Sequence, residues 1–348
     1  MRARLLRLVG WTGALLAWAA AATAWAQSDV EAQARALKRA SDAVVGLTAQ
    51  AVDDARTAGS LGATRQGSGV VIGDNGLVLT IGYLLIEAET VELATDEGRR
   101  VPARVVAYDG ATGFGLVQAL APLGLEPVPL ARGDTVAEGE PLVVVSGGAG
   151  TGPGTVTMAR LAARRGFSGW WEYHVDGALF TTPARQDHSG AGLFNARGEL
   201  LGIGSLWLAD IGAGIAAAPS QRRPGNMFVP VELLSPILAA VQREGRFAPA
   251  RRAWLGLNCV EADGELRVVR VTEDSPADVA GLERGDRIVR IDGRAVSTLE
   301  GLWKTLWGGA GTASERAVQL DIERNGKPLT LTVQSVDRSL TLRRPRGV

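Results

Sequence analysis

The stretch QDHSGAGLF, residues 186–194, is where this chain could do covalent chemistry. A serine set among small residues and followed by an apolar strand presents its hydroxyl at a tight turn, as a nucleophile for acyl transfer requires. Such a serine needs a base to take its proton and a carboxylate to orient that base. It also needs backbone N–H groups aimed at the charge that develops on the substrate oxygen. The chain holds two histidines, His174 and His188. His188 directly precedes Ser189, and neighbouring side chains on an extended segment point to opposite faces. His174 lies in WEYHVDGALF, sharing a face with Glu172 and Asp176 at period 2, which reads as the solvated side of a strand. Asp187, His188 and His174 do not form the converging ligand set of a metal site, and the sequence calls for no metal or other cofactor.

These residues need a scaffold, and the patterning makes it mainly β. From Ser68 to about Met158, short alternating strands are punctuated by Asn75-Gly76, Asp96-Glu97-Gly98 and Gly133-Asp134, all hairpin-type turns. A second strand-rich block runs from about Thr155 to Pro230, with a tight turn at Asn195–Gly198 and a Pro/Gly-rich loop over 208–226. Two such blocks without helices between them predict paired β-barrels or a sandwich. Residues 29–56 carry helical spacing and predict one helix ahead of the core. Val231–Gln242 predicts another, and the basic, Pro-containing run Arg243–Ala253 a linker.

From Trp254 to about Asp337 the chain changes character. Leu266 and Val268–Val271 form a strand, Ser275-Pro276-Ala277 opens a short helix that Gly281 ends, and Arg287–Ile291 is a strand closed by Asp292-Gly293. Ser297 with Glu300 makes a capping box, after which Leu299, Leu302, Trp303 and Leu306 share a helical face. Two alternating strands then meet at Asn325-Gly326, and a basic tail follows.

At the other end, MRARLLR precedes an apolar run that closes on Ala24-Trp25-Ala26, the pattern of a secretory signal peptide, with a retained membrane anchor as the alternative. Its removal takes Arg2, Arg4 and Arg7 from a chain of 37 basic and 37 acidic residues. The mildly acidic remainder gives no footprint for nucleic acid. Cys259 is the sole cysteine, so no intramolecular disulfide braces the chain, and it reads as a small buried hydrophobe.

Taken in order, GSGVVIGDNGLVLT, PLARGDTVAEGEPLVVVSG, SGAGLFNARGELLGIG, WLGL and SPADVAGLERGDRIVRIDG resemble the HtrA/Do-like serine protease family over roughly residues 40–337. The resemblance implies a trypsin-like double β-barrel followed by an α+β PDZ domain. Its division is a signal peptide (1–26), an N-terminal helical segment (27–62), a protease domain (63–236), a linker (237–252), a PDZ domain (253–338) and a basic tail (339–348). It also implies site residues, and here the chain departs from the pattern. The family's histidine falls three residues after Thr80, where this chain has Tyr83; its aspartate falls at Gly113. The glycine that frees an oxyanion-hole N–H is Asp187, and Ala191 replaces the second glycine after the nucleophile. With an ordinary pKa of about 10, a tyrosine scarcely deprotonates a serine at neutral pH. The expectation is therefore an exported protease homologue without catalysis, Ser189 marking the nucleophile position only. The alternative is an active HtrA-type endopeptidase using Ser189 with a rearranged base.

The resemblance assigns Trp254, Leu255, Gly256 and Leu257 to a loop whose N–H groups capture a peptide's terminal carboxylate, with Leu302, Trp303 and Leu306 walling an apolar pocket. Peptide C-termini or unfolded polypeptides are the implied partners, in envelope protein quality control. The family's trimer uses aromatic residues near the start of the protease domain. Gln27–Gly82 contains no Phe, Tyr or Trp, so a monomer or a different homo-oligomer is expected.

Overall fold

The structure, a computed structural model, describes residues 30–132, 136–148, 154–212, 222–244, 252–308 and 314–343. The signal peptide, the Gly133-Asp134 turn and the end of the basic tail lie outside them. Helix α1 spans residues 30–42. The single helix expected over 29–56 stops there, because Val44–Ala51 is a strand (β1) buried between two neighbours. Two adjacent β-branched residues favour that state over a helix. After the short helix α2 (Ala58–Leu61) come β2 (Thr64–Gly73), β3 (Leu77–Ile81), β4 (Ala88–Ala94), β5 (Arg100–Tyr108) and β6 (Phe114–Ala119). They close in the order β1-β2-β3-β6-β5-β4. The first barrel thus opens at Val44 rather than at residue 63.

The second barrel is built from β7 (Pro141–Ser146), β8 (Thr155–Gly169), β9 (Tyr173–Thr182), β10 (Gly192–Phe194), β11 (Leu200–Leu208) and β12 (Gly225–Pro230). It closes as β10-β11-β12-β9-β8-β7. β7 belongs to this barrel, although patterning alone ran it on with the first block. One apolar cluster joins the barrels, packing Leu47, Leu79, Phe114 and Leu116 with Phe180, Phe194 and Met227. Paired barrels, rather than a sandwich, are what the alternation encodes.

A 3₁₀ turn leads into helix α3 (Ser235–Glu244), which carries through the first part of the span assigned to the linker. The last unit holds β13 (Ala253–Trp254), β14 (Leu257–Ala262), β15 (Glu265–Val271), α4 (Pro276–Val279), β16 (Arg287–Ile291), β17 (Arg294–Ala295), α5 (Leu299–Gly308), β18 (Ala317–Arg324), β19 (Lys327–Gln334) and β20 (Val336–Asp337). Ser275 caps α4, accepting the Asp278 N–H as expected. Asn325 and Gly326 both take positive φ at the β18–β19 turn, as that dipeptide predicts. Cys259 is fully buried in this unit's core. The start of the tail is docked: the Arg343 N–H donates to Glu87 Oε1 at 2.7 Å, against the expectation of a flexible segment from residue 339.

The nucleophile turn is pinned where the barrels meet. Gly190 has φ +74°, and a Cβ there would lie 2.0 Å from the Ser68 carbonyl oxygen. Gly139 also has positive φ but open space around it. Gly190→Ala should therefore cost at least about 3 kcal/mol of stability, and Gly139→Ala only about 1–2 kcal/mol. Urea titration of the two variants checks this; equal costs would show that the approach to Ser68 is not a tight constraint.

Candidate functional site

Ser189 is held by its own backbone. Its carbonyl accepts the Ser68 N–H at 2.8 Å, the Gly190 N–H donates to Gly204 O at 2.9 Å, and the Ala191 N–H to His188 O at 3.0 Å. Behind Ser68, the Thr80 hydroxyl donates to its carbonyl at 2.6 Å. The strand that leads to Tyr83 is thus tied to the turn that carries Ser189.

The two side chains meet. Tyr83 Oη lies 2.7 Å from Ser189 Oγ and 3.0 Å from the Ser205 carbonyl oxygen. A carbonyl can only accept, so the phenol proton goes to Ser205 and the Ser189 hydroxyl donates to the phenol oxygen. Burial pushes the Tyr83 phenol up to about 12, with the bond to Ser189 acting the other way. A neutral phenol receives the serine proton as a hydrogen bond without removing it.

Gly113 lies beside this pair, its carbonyl accepting the Gly82 N–H at 2.6 Å. Its φ is +83°, and a Cβ would meet Tyr173 Oη at 3.0 Å. Tyr173 comes from the second barrel and donates its hydroxyl to Thr112 O at 2.7 Å. A carboxylate side chain at this point has neither backbone nor room. The sequence reading missed Tyr173, which is separated from Gly113 by most of a barrel.

Asp187 is bound by Arg185 and Ser146. Arg185 Nε donates to Oδ1 at 2.9 Å, Arg185 Nη2 also reaches Oδ2, and the Ser146 hydroxyl donates to Oδ2 at 2.6 Å. Burial opposes the charge, yet Arg185 and Ser146 hold the carboxyl down at about 2, and Asp187's own backbone N–H contributes. The carboxylate at the position the resemblance assigns to the oxyanion glycine is paired with a guanidinium.

Neither histidine contacts Ser189. His188 Nδ1 faces Arg185 O at 3.1 Å, and burial lowers its pKa. His174 lies between Ser168 Oγ (2.8 Å) and Asp176 Oδ1 (3.1 Å). The face expected to be solvated is covered at His174, 6% exposed, and Glu172, 5%, and open only at Asp176. The last unit packs on it. Among the described residues one set of potential metal ligands converges, His174, Asp176 and Glu300. The Lys304 ammonium already bridges those two carboxylates, at 2.9 Å and 2.7 Å. The set with Asp187 and His188 is not formed.

The carboxylate-capture loop is occupied from within. The Leu255, Gly256 and Leu257 N–H groups all donate to the Glu172 carboxylate, the shortest contact being 2.7 Å from Gly256. Burial pushes this carboxyl up to about 7, against the pull of those N–H groups and of Arg338. Trp254 is half-buried beside them. Leu302, Trp303 and Leu306 are all buried in the core of the unit, on a helix that packs against β14 and against the β8–β9 hairpin. Trp303 reaches outward only through Nε1, which donates to Gly169 O at 3.0 Å.

Comparison with known proteins agrees with this architecture. The trypsin-like peptidase domain family matches residues 67–203, and the PDZ domain family residues 253–334. The periplasmic serine endoprotease DegP of Salmonella typhimurium is 27% identical over 282 residues, covering 77% of this chain and 56% of its own. The putative serine protease HhoA of Synechocystis is 28% identical over 290 residues, covering 78% and 70%. The chain thus spans little more than half of the DegP relative. Among solved structures, the serine endoprotease from Yersinia pestis aligns with a TM-score of 0.52 at 23% identity, over 88% of this chain and 97% of that one. The HtrA-type protease AlgW with tripeptide aligns at 0.53 and 23%, over 90% and 98%. The double barrel, the capture loop and their order along the chain make this an HtrA/DegP-like protein, a trypsin-like peptidase domain followed by a PDZ domain.

Proposed function

We propose that the chain is a non-catalytic, exported homologue of the HtrA-type serine proteases. It binds peptide C-termini or unfolded chains through its PDZ domain in envelope protein quality control. The observation that carries this reading is the Tyr83–Ser189 hydrogen bond, which puts a half-buried neutral phenol where a triad needs an imidazole. Tyr83, Gly113 and Asp187 are read as the histidine, aspartate and oxyanion positions. In a triad, losing the serine or the histidine alone costs about 10⁶ in turnover. The oxyanion position carries a carboxylate side chain, held by Arg185 and Ser146, where an anion would have to be stabilised. The rival reading, an active endopeptidase with a rearranged base, needs a histidine on Ser189, and both histidines are engaged elsewhere. The signal-like start and the periplasmic naming of relatives such as DegP support a periplasmic location.

A fluorophosphonate probe labels only an activated serine. The mature protein should remain unlabelled from about pH 6 to about pH 10, because the phenolate that could take the proton does not form below about 12. Ser189→Ala should behave identically. Stoichiometric labelling that disappears in Ser189→Ala would contradict the reading.

Rebuilding the triad meets a backbone obstacle. Gly113→Asp should lower stability by about 2 kcal/mol or more, from positive φ and the Tyr173 contact, as read by urea titration. Tyr83→His with Gly113→Asp and Asp187→Gly should therefore fail to hydrolyse casein, and shortening Tyr173 should recover part of the lost stability. A triple variant as stable as the parent would show that the space beside Gly113 is not closed.

A further inference from the structure

The tip of the β8–β9 hairpin, Gly169-Trp170-Trp171-Glu172, is a turn that lies against the PDZ domain and meets it through one β-bridge. Trp171 pairs antiparallel with Asn258 on β14. The Cys259 N–H donates to Trp170 O at 2.7 Å, and Trp303 Nε1 to Gly169 O. This register brings residue 172 opposite Leu257, and there Glu172 places its carboxylate on the three loop N–H groups. Captured peptides use the same two elements, main-chain pairing along the sheet edge and a carboxylate cradled by consecutive backbone N–H groups. The tip reproduces both. It differs in one respect, since the carboxylate belongs to a side chain and the main chain runs on into β9. Trp171 meanwhile stacks on Tyr173 at 5.8 Å, so the tip is anchored to the barrel it leaves.

We propose that Gly169–Glu172 is a built-in ligand of the PDZ groove, its Glu172 carboxylate standing in for a peptide terminus. An outside peptide with a free C-terminal carboxylate then binds only by displacing the tip, which releases the PDZ domain from the second barrel. This rests on the reading above that the PDZ domain captures peptide C-termini, and it adds what holds the groove before a peptide arrives. Intramolecular attachment gives the tip a high effective concentration, so an outside peptide competes at a disadvantage until the carboxylate is removed.

The test uses the full mature chain and a fluorescein-labelled octapeptide, Arg-Gly-Phe-Ser-Gly-Trp-Trp-Val. It copies residues 165–171 and ends in valine, with a free carboxylate where Glu172 stands. Fluorescence polarisation should show at least about tenfold tighter binding to Glu172→Ala than to the parent. Glu172→Gln, which keeps the shape and one acceptor oxygen, should fall between them and guards against an unfolded alanine variant. The amidated peptide should bind none of the three. Amide hydrogen exchange at Leu255, Gly256 and Leu257 should quicken in Glu172→Ala and slow again when the free-acid peptide saturates it. Equal affinity for parent and Glu172→Ala overturns the proposal while leaving peptide capture standing. Unchanged exchange at the three amides in Glu172→Ala overturns it as well. Absence of carboxylate-dependent binding to every variant removes peptide capture itself, and the proposal with it.

Discussion

One buried carboxylate determines how this molecule is put together. Glu172 sits between the second barrel and the PDZ domain, and a charge in such a place must be met by donors or it is not tolerated. Three consecutive backbone N–H groups meet it. Removing the carboxylate would leave these buried N–H groups without an acceptor, at about 1–3 kcal/mol each. Here the loop could recover that loss from a different carboxylate, which separates this contact from an ordinary structural one. The next residue, Tyr173, turns the other way and fills the space beside Gly113. Two adjacent residues of one hairpin thus supply both the carboxylate on the loop N–H groups and the ring beside Gly113.

The catalytic side follows the same economy of contacts. Tyr83 keeps the position and roughly the reach of a base, so its hydroxyl still finds Ser189 Oγ. What it lacks is basicity. Burial drives the phenol further from neutrality, while imidazole in the same place would titrate near working pH. Arg185 and Ser146 fix Asp187, so the turn is ordered by an ion pair and hydrogen bonds. These contacts keep the Ser189 turn in place.

Much of this was legible in the amino-acid sequence, and the boundary has physical reasons. Alternation and turn residues such as Asn75-Gly76 and Asn325-Gly326 located the hairpins, since strand period and left-handed turns are local properties. The family resemblance, counted on from Thr80, pointed to Tyr83 and Ser189, and these two side chains meet. Local spacing could not show that β1 starts at Val44, because a strand covered on both faces has no alternation to read. It also misjudged Glu172 and His174. Their period-2 polarity signals an uncovered face unless a second domain packs there, and that packing is set by residues over eighty positions away. Tyr173 beside Gly113, and Arg185 with Ser146 on Asp187, are long-range pairings of the same kind.

The claim that Ser189 is ordered but not activated is tested most directly by pre-steady-state kinetics with an activated ester, p-nitrophenyl acetate. An acylating serine releases one equivalent of nitrophenol in a burst before turnover. The account predicts no burst in the mature protein, and the same slow linear release from Ser189→Ala. A stoichiometric burst that vanishes in Ser189→Ala and rises through a pKa near neutrality would mean that a working base reaches the serine, and the account would be wrong.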